Sequence, residues 1–395
     1  MKILICNAGS TSLKFKLYDM PEGTVLAQCH IERVGSEHDA LFHYHNKLNG
    51  VTVELKEINI PDYRSGIIQF LNCLTAGEAR ALQDIHEIER VGYKAVLAKG
   101  HYGIHELDDD VMKGMEDWLC LAPVHNRAYL ETIKAMQEVL PEARCIGAFE
   151  TSFHLNIPLE RKLYAVPYEW YENMGIQRLG YHSASHSHVA DMLNEEKREY
   201  SAISCHLGGS CSICAIENGR SVDTSFGMSL ETGVPHANRV GDMDPSMVYF
   251  LKHEGLTDEE IQDGFQKKGG LLGLSGISND LRYIIDAAET GNERAKLAIG
   301  VFVTSIVHYI GAFYLDLGKL DYLVFTAGIG EHSAYIRKLV CEKLTPLGVR
   351  LDEEKNRQCH EDMVISGAES TVCVRVIPAD EEMGIARRTY AHEFN

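Results

Sequence analysis

Two copies of one strand–turn–strand unit, about 200 residues apart, constrain the fold of this chain more than any other feature. They read "ICNAGSTSLKFKLYD" (5–19) and "YSAISCHLGGSCSICAIENGRSVDTS" (200–225). In each, an apolar strand ends in a turn rich in glycine and hydroxyl side chains, Gly9-Ser10-Thr11-Ser12 and Gly209-Ser210-Cys211-Ser212. The repeat predicts two similarly folded lobes with a cleft between them.

Length and charge limit the functional class. A chain of 395 residues is too long for one hydrophobic core. With 38 basic and 57 acidic residues its net charge is -19, which argues against a nucleic-acid-binding surface, so any phosphate is bound locally. Eleven scattered cysteines lack the framework of a small secreted domain and predict a reducing cytoplasm.

The stretch "LAIGVFVTSIVHYIGAFYL" (297–315) has no Asp, Glu, Lys or Arg and approaches the length of a membrane span. It also contains Thr304, Ser305, His308 and two glycines, and it has no companion segment in a mostly polar chain. We therefore predict a buried central helix and no membrane association.

A third glycine turn follows the strand "YLVFTA" (322–327). Its residues 328–331 read Gly-Ile-Gly-Glu and lead into a helix expected from about 331 to 343. Strand, glycines and a helix N-terminus together favour a phosphate or nucleotide cradle. Ser333 breaks the dinucleotide fingerprint, and the chain has no Gly-Lys-Ser/Thr, so neither a Rossmann site nor a P-loop is predicted.

Hydrophobic periodicity and residues typical of turns and helix ends predict the other helices and strands. Asn218-Gly219 indicates a hairpin, Asp244-Pro245 a helix start, and Thr257 with Glu260 a capping box. The remaining predictions are strands at 2–7, 12–18 and 24–32 and helices at 66–76, 126–139, 279–289 and 292–317.

A few side chains near these turns could carry phosphoryl chemistry. Arg239, in "ANRVGDMDP", could clamp a phosphate or carboxylate, or could form a structural pair with Asp242 or Asp244. His182 and His186 have the i, i+4 spacing of a zinc helix but no third ligand, which favours a histidine that donates to phosphoryl oxygens.

Other candidates are single residues. His125 in "APVHNR" could act like His182, and Glu150 and Glu381, close to strand ends, could hold magnesium. Cys211 and Cys214 form a C-x-x-C without a second pair, which favours buried thiols over a zinc site.

Taken together, these segments resemble the acetate kinase family, which includes propionate and butyrate kinases and belongs to the sugar kinase, Hsp70 and actin superfamily. The matching stretches keep the family's order and span nearly the whole chain. They are "NAGSTSLKFKLYD", "APVHN", "GYHSASHSHVA", "HLGGSCSICAIENGRSVDTSFG", "NRVGDMDP", "GLLGLSGISNDLR", "FTAGIGEHSAYIR" and "ADEEMGIAR".

The resemblance implies an α/β, two-lobed actin-like (ribonuclease H-like) fold with duplicated mixed sheets of five strands, flanked by helices. The N-terminal lobe would span 1–150 and be completed by a C-terminal helix at 382–395. The C-terminal lobe would span 151–381 and form a homodimer interface. The implied reaction is transfer of the ATP γ-phosphate, with Mg²⁺, to the carboxylate of a short acid, giving an acyl phosphate.

The resemblance also assigns residues. The implied catalytic set is Lys94, Glu150, His182 and Arg239, and the implied metal set is Asn7 and Glu381. The implied nucleotide set is Ser10, Ser12, His206, Gly208, Gly209, Ser210, Ala327, Gly328, Ile329, Gly330, Glu331 and His332. The implied acyl pocket is Val96, Val124, His125, Tyr181 and Leu230.

The chain departs from the family pattern at several of these positions. Tyr181 stands where the family has phenylalanine, which predicts an added hydroxyl in the acyl pocket and a substrate other than plain acetate. Further departures are Lys94 for arginine, Tyr93 and Leu97 for histidines, Glu150 for aspartate, and Gly209, His332 and Asp380 for asparagines.

The sequence thus predicts an ATP-dependent kinase of a short carboxylic acid, with acetate or propionate as the default substrate. Two alternatives stay open. One keeps the fold but uses a different acceptor, or pyrophosphate or phosphate as the phosphoryl partner, because His332 changes the adenosine segment. The other is a catalytically weak nucleotide-binding protein, because Lys94 and Glu150 replace catalytic residues of the family.

Overall fold

The computed structural model describes residues 1–119 and 123–394, with residues 123–125 described by their backbone only. The chain divides into two compact units. Unit 1 comprises Met1–Ser152 and Asp380–Asn395, and unit 2 comprises Phe153–Ala379. Each unit is built around its own mixed β-sheet.

Unit 1 contains an eight-stranded sheet in the order β5-β4-β3-β2-β1-β6-β8-β7. Strands β1 to β5 form an antiparallel meander, whereas β1, β6 and β8 run parallel and the short β7 closes the edge. The strands are β1 Lys2–Gly9, β2 Ser12–Asp19, β3 Thr24–Glu32, β4 Ser36–Asn46, β5 Thr52–Ile60, β6 Ile88–Ala95, β7 Ile104–Glu106 and β8 Arg144–Phe149.

The helices of unit 1 cover this sheet. They are α1 Tyr63–Thr75, α2 Asp109–Asp117, α3 Pro123–Val139 and a C-terminal helix, Glu381–Ala391, with a 3₁₀ turn at Ile85–Glu87. Alternation along β2 turns Leu13, Phe15 and Leu17 into the core while Lys14 is exposed. Phe15 stacks on Phe70 of α1 with ring centroids 4.4 Å apart. This packing holds the meander against the helical layer.

Unit 2 contains a six-stranded sheet in the order β11-β10-β9-β12-β14-β13. Its strands are β9 Ser201–Leu207, β10 Cys211–Glu217, β11 Arg220–Thr224, β12 Tyr322–Thr326, β13 Met363–Val364 and β14 Cys373–Val376. Every residue of β9 is buried because β9 lies in the middle of the sheet with both faces covered. Asn218 and Gly219 form the predicted hairpin turn between β10 and β11.

Eleven helices of unit 2 flank this sheet. The capping box of Thr257 and Glu260 forms as predicted, and α7 begins directly after Pro245. The helices are α4 Leu159–Lys162, α5 Tyr168–Met174, α6 Ser183–Glu196, α7 Ser246–His253, α8 Asp258–Gln266, α9 Gly270–Ser275, α10 Leu281–Glu289, α11 Glu293–Leu317, α12 Ala327–His332, α13 Ala334–Lys343 and α14 Glu353–Gln358, with 3₁₀ turns at Ser152–His154 and Thr345–Leu347.

Helix α11 contains the uncharged stretch of the sequence. It is the one helix in the described part of the chain that is long and apolar enough to cross a membrane by length and composition. One face packs into the core of unit 2 through residues such as Phe302, Ile306 and Ile310. The other face exposes Leu297 and Leu315, so the helix is buried on one side only.

Three expectations about the fold are wrong in detail. The sheets have eight and six strands rather than five, because β4 and β5 extend the first meander and the short β13 extends the second sheet. Residues 327–332 form the short helix α12 instead of an open turn before a helix at 331. The C-terminal helix ends at Ala391 and does not continue to 395.

Candidate active site

The first glycine turn connects β1 to β2 in unit 1. Gly9 pairs with Ser12, and a Cβ atom on Gly9 would lie 2.6 Å from Ser12 Oγ, so a larger residue would displace that hydroxyl. Tyr63 donates its hydroxyl hydrogen to the carbonyl oxygen of Gly9 at 2.8 Å. The turn is therefore tied to α1 while the side chain of Ser10 stays exposed.

Buried opposite charges lie beside this turn in unit 1. Lys94, on β6, places Nζ 2.7 Å from Glu381 Oε2 and 3.7 Å from Glu150 Oε2. Burial alone would lower the pKa of Lys94, but the carboxylates of Glu150 and Glu381 outweigh it and the pKa is raised. The ammonium group therefore stays charged at neutral pH.

Asn7, the other predicted metal ligand, lies on β1, the strand adjacent to β6. Its Oδ1 accepts a hydrogen bond of 2.9 Å from the hydroxyl of Tyr129 on α3. Tyr129 was not predicted, and it orients the Asn7 amide with the oxygen toward the tyrosine. Tyr93, which replaces a family histidine, is fully buried.

Unit 2 contains a buried cluster of histidines at the start of α6 and the end of β9. The rings of His182 and His206 stack with centroids 3.9 Å apart. His182 Nδ1 lies 2.9 Å from Ser212 Oγ, and His206 Nδ1 lies 2.8 Å from Ser185 Oγ. His182 also has a left-handed backbone with φ of 57°, which is strained for a residue other than glycine.

These histidines do not form a metal centre. Among the residues described, no group of three or more His, Cys, Asp or Glu side chains could hold a metal ion. Cys211 and Cys214 are buried free thiols, and burial raises the pKa of each to about 12.

Arg239 lies in the loop between Gly233 and Asp242 and is a largely buried cation. Over residues 1–119 and 123–394 the structure gives its guanidinium no ion pair, and its Nε atom is buried without a hydrogen-bond partner. Burial lowers the pKa of Arg239. Such a group attracts an anion strongly.

The alternative of a structural pair for Arg239 is wrong. Asp242 accepts hydrogen bonds from the Gly233 amide and the Tyr309 hydroxyl. Asp244 accepts from the amide of Ser246 at the start of α7. Both carboxylates accept hydrogen bonds elsewhere, and neither forms an ion pair with Arg239.

The Arg239 loop is held close to α9. Gly270 has a φ of +58°, and a Cβ atom there would lie 2.2 Å from the carbonyl oxygen of His236 and 2.7 Å from that of Arg239. The amide of Ala237 donates to the carbonyl of Gly209 at 3.0 Å. The loop is therefore also attached to the second glycine turn.

That second turn joins β9 to β10 and presents unused donors. Gly208 and Ser210 close it through a backbone hydrogen bond of 3.1 Å. The hydroxyl of Ser210 is buried, and the described residues provide it with no hydrogen-bond partner. A backbone turn with a spare hydroxyl beside a guanidinium is suited to phosphate oxygens.

The second and third glycine turns share one pocket of about 690 Å³ within unit 2. Gly208 and Gly209 lie on one side, and Gly328, Ile329 and His332 of α12 lie on another. The remaining lining comes from the start of α10 and α13 and from the Arg239 loop: Ala237, Asn279, Asp280, Leu281, Arg282, Ile285, Asp286, Ser333, Ala334 and Tyr335.

Helix α12 is held in place by a buried arginine. Arg337 on α13 donates to the carbonyl oxygens of Gly330 and Glu331 at 2.9 and 2.6 Å, and to Asn356 at 2.7 Å. The carboxylate of Glu331 accepts from the amide of Ala379 at 2.9 Å. Glu331 and Gly330 thus shape the pocket wall through the backbone, whereas His332 lines the pocket directly.

Comparison with known proteins connects this geometry to a family. A profile of the acetokinase family matches residues 2–387. The chain belongs to the acetokinase family. It is 40% identical over 395 residues to the acetate kinase of Dictyoglomus turgidum, an alignment that covers 98% of this chain and 97% of that protein.

Solved structures agree with the acetokinase assignment. The crystal structure of Porphyromonas gingivalis acetate kinase has a TM-score of 0.88 at 36% identity and covers 98% of both chains. A propionate kinase from Francisella tularensis has a TM-score of 0.87 at 30% identity and covers 98% of this chain and 99% of that one. The actin-like fold with two mixed sheets is thereby confirmed, and with it a phosphotransferase that acts on a carboxyl group.

Acetokinase family enzymes use ATP with Mg²⁺. The oxygens of Asn7 and Glu381 are of the type that Mg²⁺ accepts, and this ion commonly binds one or two protein oxygens together with phosphates and waters. Two protein ligands in unit 1 are therefore enough for a Mg²⁺ ion that is also bound by the phosphates of a nucleotide. Glu381 also forms an ion pair with Lys94.

The predicted acyl-pocket residues lie in both units. Val96 is buried in unit 1, where Asn126 anchors the neighbouring Leu97 through its carbonyl oxygen at 2.9 Å. Tyr181 is fully buried and Leu230 half-buried in unit 2. The side chains of Val124 and His125 lie outside the described residues.

The hydroxyl of Tyr181, which the sequence predicts in the acyl pocket, has a hydrogen-bond acceptor within the protein. Its hydroxyl donates to the carbonyl oxygen of Met228 and its ring packs edge-on against Phe226, with centroids 5.2 Å apart. The added oxygen is satisfied by the protein itself. The substitution therefore gives no reason to expect a hydroxylated substrate.

Proposed function

We propose that this protein phosphorylates a short carboxylic acid, acetate or propionate, at the expense of ATP. The bond from the γ-phosphorus to the β,γ-bridging oxygen breaks, and a bond from the same phosphorus to a carboxylate oxygen forms. The guanidinium of Arg239 beside the second glycine turn carries this proposal, because it forms no ion pair with the residues that the structure describes and its Nε atom is buried without a hydrogen-bond partner among them. Transfer of a charged group needs such a cation.

Unit 2 would hold the nucleotide and the moving phosphoryl group. Ser210 and the backbone of Gly208 and Gly209 would receive phosphate oxygens, while the pocket lined by α10 and α12 would take the nucleoside. Arg239 and His182 would face the transferred group, with His206 stacked behind His182. The volume of about 690 Å³ next to the turn favours a nucleoside triphosphate over pyrophosphate.

Unit 1 would hold the metal and receive the acid. Asn7 and Glu381 are the proposed Mg²⁺ ligands, and Mg²⁺ would neutralise charge on the phosphates. Ser10 and Ser12 would contribute hydroxyls from the first turn. Lys94, kept charged by Glu150 and Glu381, would attract the substrate carboxylate, and Val96 would contact its alkyl group.

Hydroxylamine trapping of acyl phosphate would test this function. Purified protein is incubated with Mg²⁺, one acid from a series of two to five carbons, and either ATP or pyrophosphate. We expect product with ATP on acetate or propionate and none with pyrophosphate. Product with pyrophosphate alone would favour the second alternative, and ATP binding without product on any acid would favour a nucleotide-binding protein.

We infer that the protein also forms a homodimer through the exposed face of α11. Leu297 and Leu315 are 62% and 79% exposed at opposite ends of a stretch that carries no charged side chain. Val301, Ser305 and Ala312 on the same face line a pocket of about 580 Å³ against the Arg239 loop. An uncharged surface of this length is typical of an interface between copies of a chain.

Sedimentation velocity tests the dimer. The wild type should sediment as a dimer, and Leu315→Glu should shift it toward the 44.1 kDa monomer. Glu289→Gln at the end of α10 is a control that should leave the dimer intact. A monomeric wild type at micromolar concentration would contradict the inference. We also place the protein in the cytoplasm, since the ten cysteines that the structure describes are all free.

A further inference from the structure

A chain of four side chains leads from the interior of unit 2 to His182. Ser204 Oγ on β9 lies 3.0 Å from His186 Nδ1, and His186 Nε2 lies 2.7 Å from Ser212 Oγ on β10. Ser212 Oγ lies in turn 2.9 Å from His182 Nδ1. Both serines and His186 are fully buried. Each link is short enough to be a hydrogen bond.

His186, in the middle of this chain, is uncharged. Burial lowers its pKa well below the usual value, and the neighbouring rings of His154 and His206 lower it further. The titratable groups that face it are His154 at 5.9 Å, His206 at 6.1 Å and His182 at 6.5 Å between ring centroids, and none is a carboxylate. A neutral imidazole has one N–H donor and one acceptor nitrogen.

The hydrogen bonds that link these four side chains can run in two directions, which we call the first and the second order. In the first, Ser204 donates to His186 Nδ1, His186 Nε2–H donates to Ser212, and Ser212 donates to His182 Nδ1. In the second order every donor is reversed, so His182 carries its proton on Nδ1. The two orders place the His182 proton on different nitrogens.

Ser204 distinguishes between these orders. Its hydroxyl is buried in the centre of the sheet, and His186 is the hydrogen-bond partner that the structure gives it. In the first order Ser204 donates to His186. In the second it accepts, and its own hydrogen has no acceptor among the described residues, at a cost of about 1–3 kcal/mol. The first order is the one that gives the Ser204 hydrogen an acceptor.

We propose that the buried residues Ser204, His186 and Ser212 are positioning residues that hold His182 in the neutral tautomer with its proton on Nε2. The Ser212 hydroxyl donates its hydrogen to His182 Nδ1. A proton on Nδ1 would therefore require every hydrogen bond in this series of side chains to reverse its direction.

The consequence for catalysis rests on the function proposed above. His182 would present the Nε2–H donor of its neutral tautomer to a phosphoryl oxygen. The tautomer itself does not depend on that function, so its measurement remains decisive even if no acyl phosphate is formed.

Nitrogen-15 NMR of histidine-labelled protein would test the proposal. The His182 and His186 signals are assigned by loss in the His182→Gln and His186→Gln variants. We expect both rings of the wild type to carry the proton on Nε2 at pH 7.5. A wild-type His182 with its proton on Nδ1 would overturn the proposal, whether or not any variant folds.

The Ser204→Ala variant adds a kinetic readout. Without the Ser204 donor, part of the His182 population should move its proton to Nδ1, so kcat at pH 7.5 should fall by about threefold to tenfold. The nitrogen-15 spectrum of this variant should show a matching fraction of His182 with its proton on Nδ1, and a purely structural defect would lower kcat without that signal.

Ser221→Ala is the matched control. Ser221 is equally buried and lies 2.8 Å from His154 Nδ1, but it is outside the chain that leads to His182. This variant should leave both the His182 tautomer and kcat unchanged. An unchanged His182 tautomer in Ser204→Ala would refute the role of the chain.

Discussion

Two cations of this acetokinase, Lys94 in unit 1 and Arg239 in unit 2, have different partners. Lys94 is paired with both Glu150 and Glu381, so its charge is compensated inside the protein. In unit 2, His182 and His186 are hydrogen-bonded to neutral serines, and Arg239 has no ion pair within the part of the chain that the structure describes. Lys94 thus has two carboxylate partners, whereas Arg239 has none among the described residues.

This difference distinguishes residues whose charge stabilises the fold from residues whose charge is available to bind substrate. A buried pair loses stability when one partner is removed, because the other charge stays uncompensated. A buried unpaired cation already carries its desolvation cost, so its removal can leave stability unchanged or increase it. Removal of Lys94 should therefore destabilise the protein, whereas removal of Arg239 should lower activity without a loss of stability.

The largest expected effect is in unit 2. Arg239→Leu should lower kcat by about 10³-fold or more, because the phosphoryl charge loses its guanidinium partner. Its free energy of unfolding should equal or exceed that of the wild type. Steady-state kinetics and urea unfolding of the same preparation measure both quantities.

Arg337→Leu is the control for Arg239→Leu. Arg337 is also a buried arginine of unit 2, but it donates to two carbonyl oxygens of α12 and to Asn356. It should lose about 3–5 kcal/mol of stability, because these acceptors are left unpaired. If the two variants behaved alike, the contrast between paired and unpaired cations would fail.

The next effect is in unit 1. Lys94→Met should cost several kcal/mol of stability and at least about 10²-fold in kcat, since Glu150 and Glu381 lose their shared cation. Lys16→Met is a matched control: Lys16 lies 3.3 Å from Glu382 on the same C-terminal helix but is a partly exposed pair, worth about 1 kcal/mol or less. Equal losses in the two variants would refute the special role of Lys94.

The pH dependence of stability should also differ between the units. Burial lowers the pKa of His154 to about 4 and that of His236 to about 3. As the pH falls, these histidines are protonated in the unfolded chain before they are protonated in the folded protein. Their contribution to the free energy of unfolding is therefore complete above about pH 6.5. It is lost as the pH falls toward 4, by about 1.4 kcal/mol per pH unit for each histidine.

Lys94 should not contribute in that range. Its pKa is raised, so its stabilisation is complete below the ordinary lysine pKa and disappears only as the pH rises through the higher folded value. Urea unfolding at pH 7 and pH 5 tests the histidine effect. His154→Gln should be less stable than wild type at pH 7 but should show a smaller loss on acidification.

The smallest effect concerns the acyl pocket. Tyr181→Phe should cost about 1 kcal/mol of stability, because the Met228 carbonyl loses its donor. The ratio of kcat/KM for propionate to that for acetate should stay within about twofold of the wild-type ratio. A larger change in this ratio would mean that the hydroxyl reaches the substrate.

Local signals in the sequence predicted the elements that depend on neighbouring residues. The hairpin at Asn218-Gly219 and the capping box of Thr257 and Glu260 form as expected, because both are closed by residues within a few positions of each other. The short helix α12 was missed, because its glycines resemble a turn and its carbonyls are held by Arg337 on the next helix.

The order of eight short motifs was sufficient to identify the family and, with it, the reaction class, because motifs spread along a whole chain rarely match by chance. Only the tertiary structure decided the state of the individual side chains. It showed that Arg239 forms no ion pair with the described residues, that the Tyr181 hydroxyl donates to a carbonyl oxygen, and that Lys94 contacts two carboxylates. Pairing depends on which residues distant in sequence are buried together, and burial sets the energy of every charge and hydrogen bond.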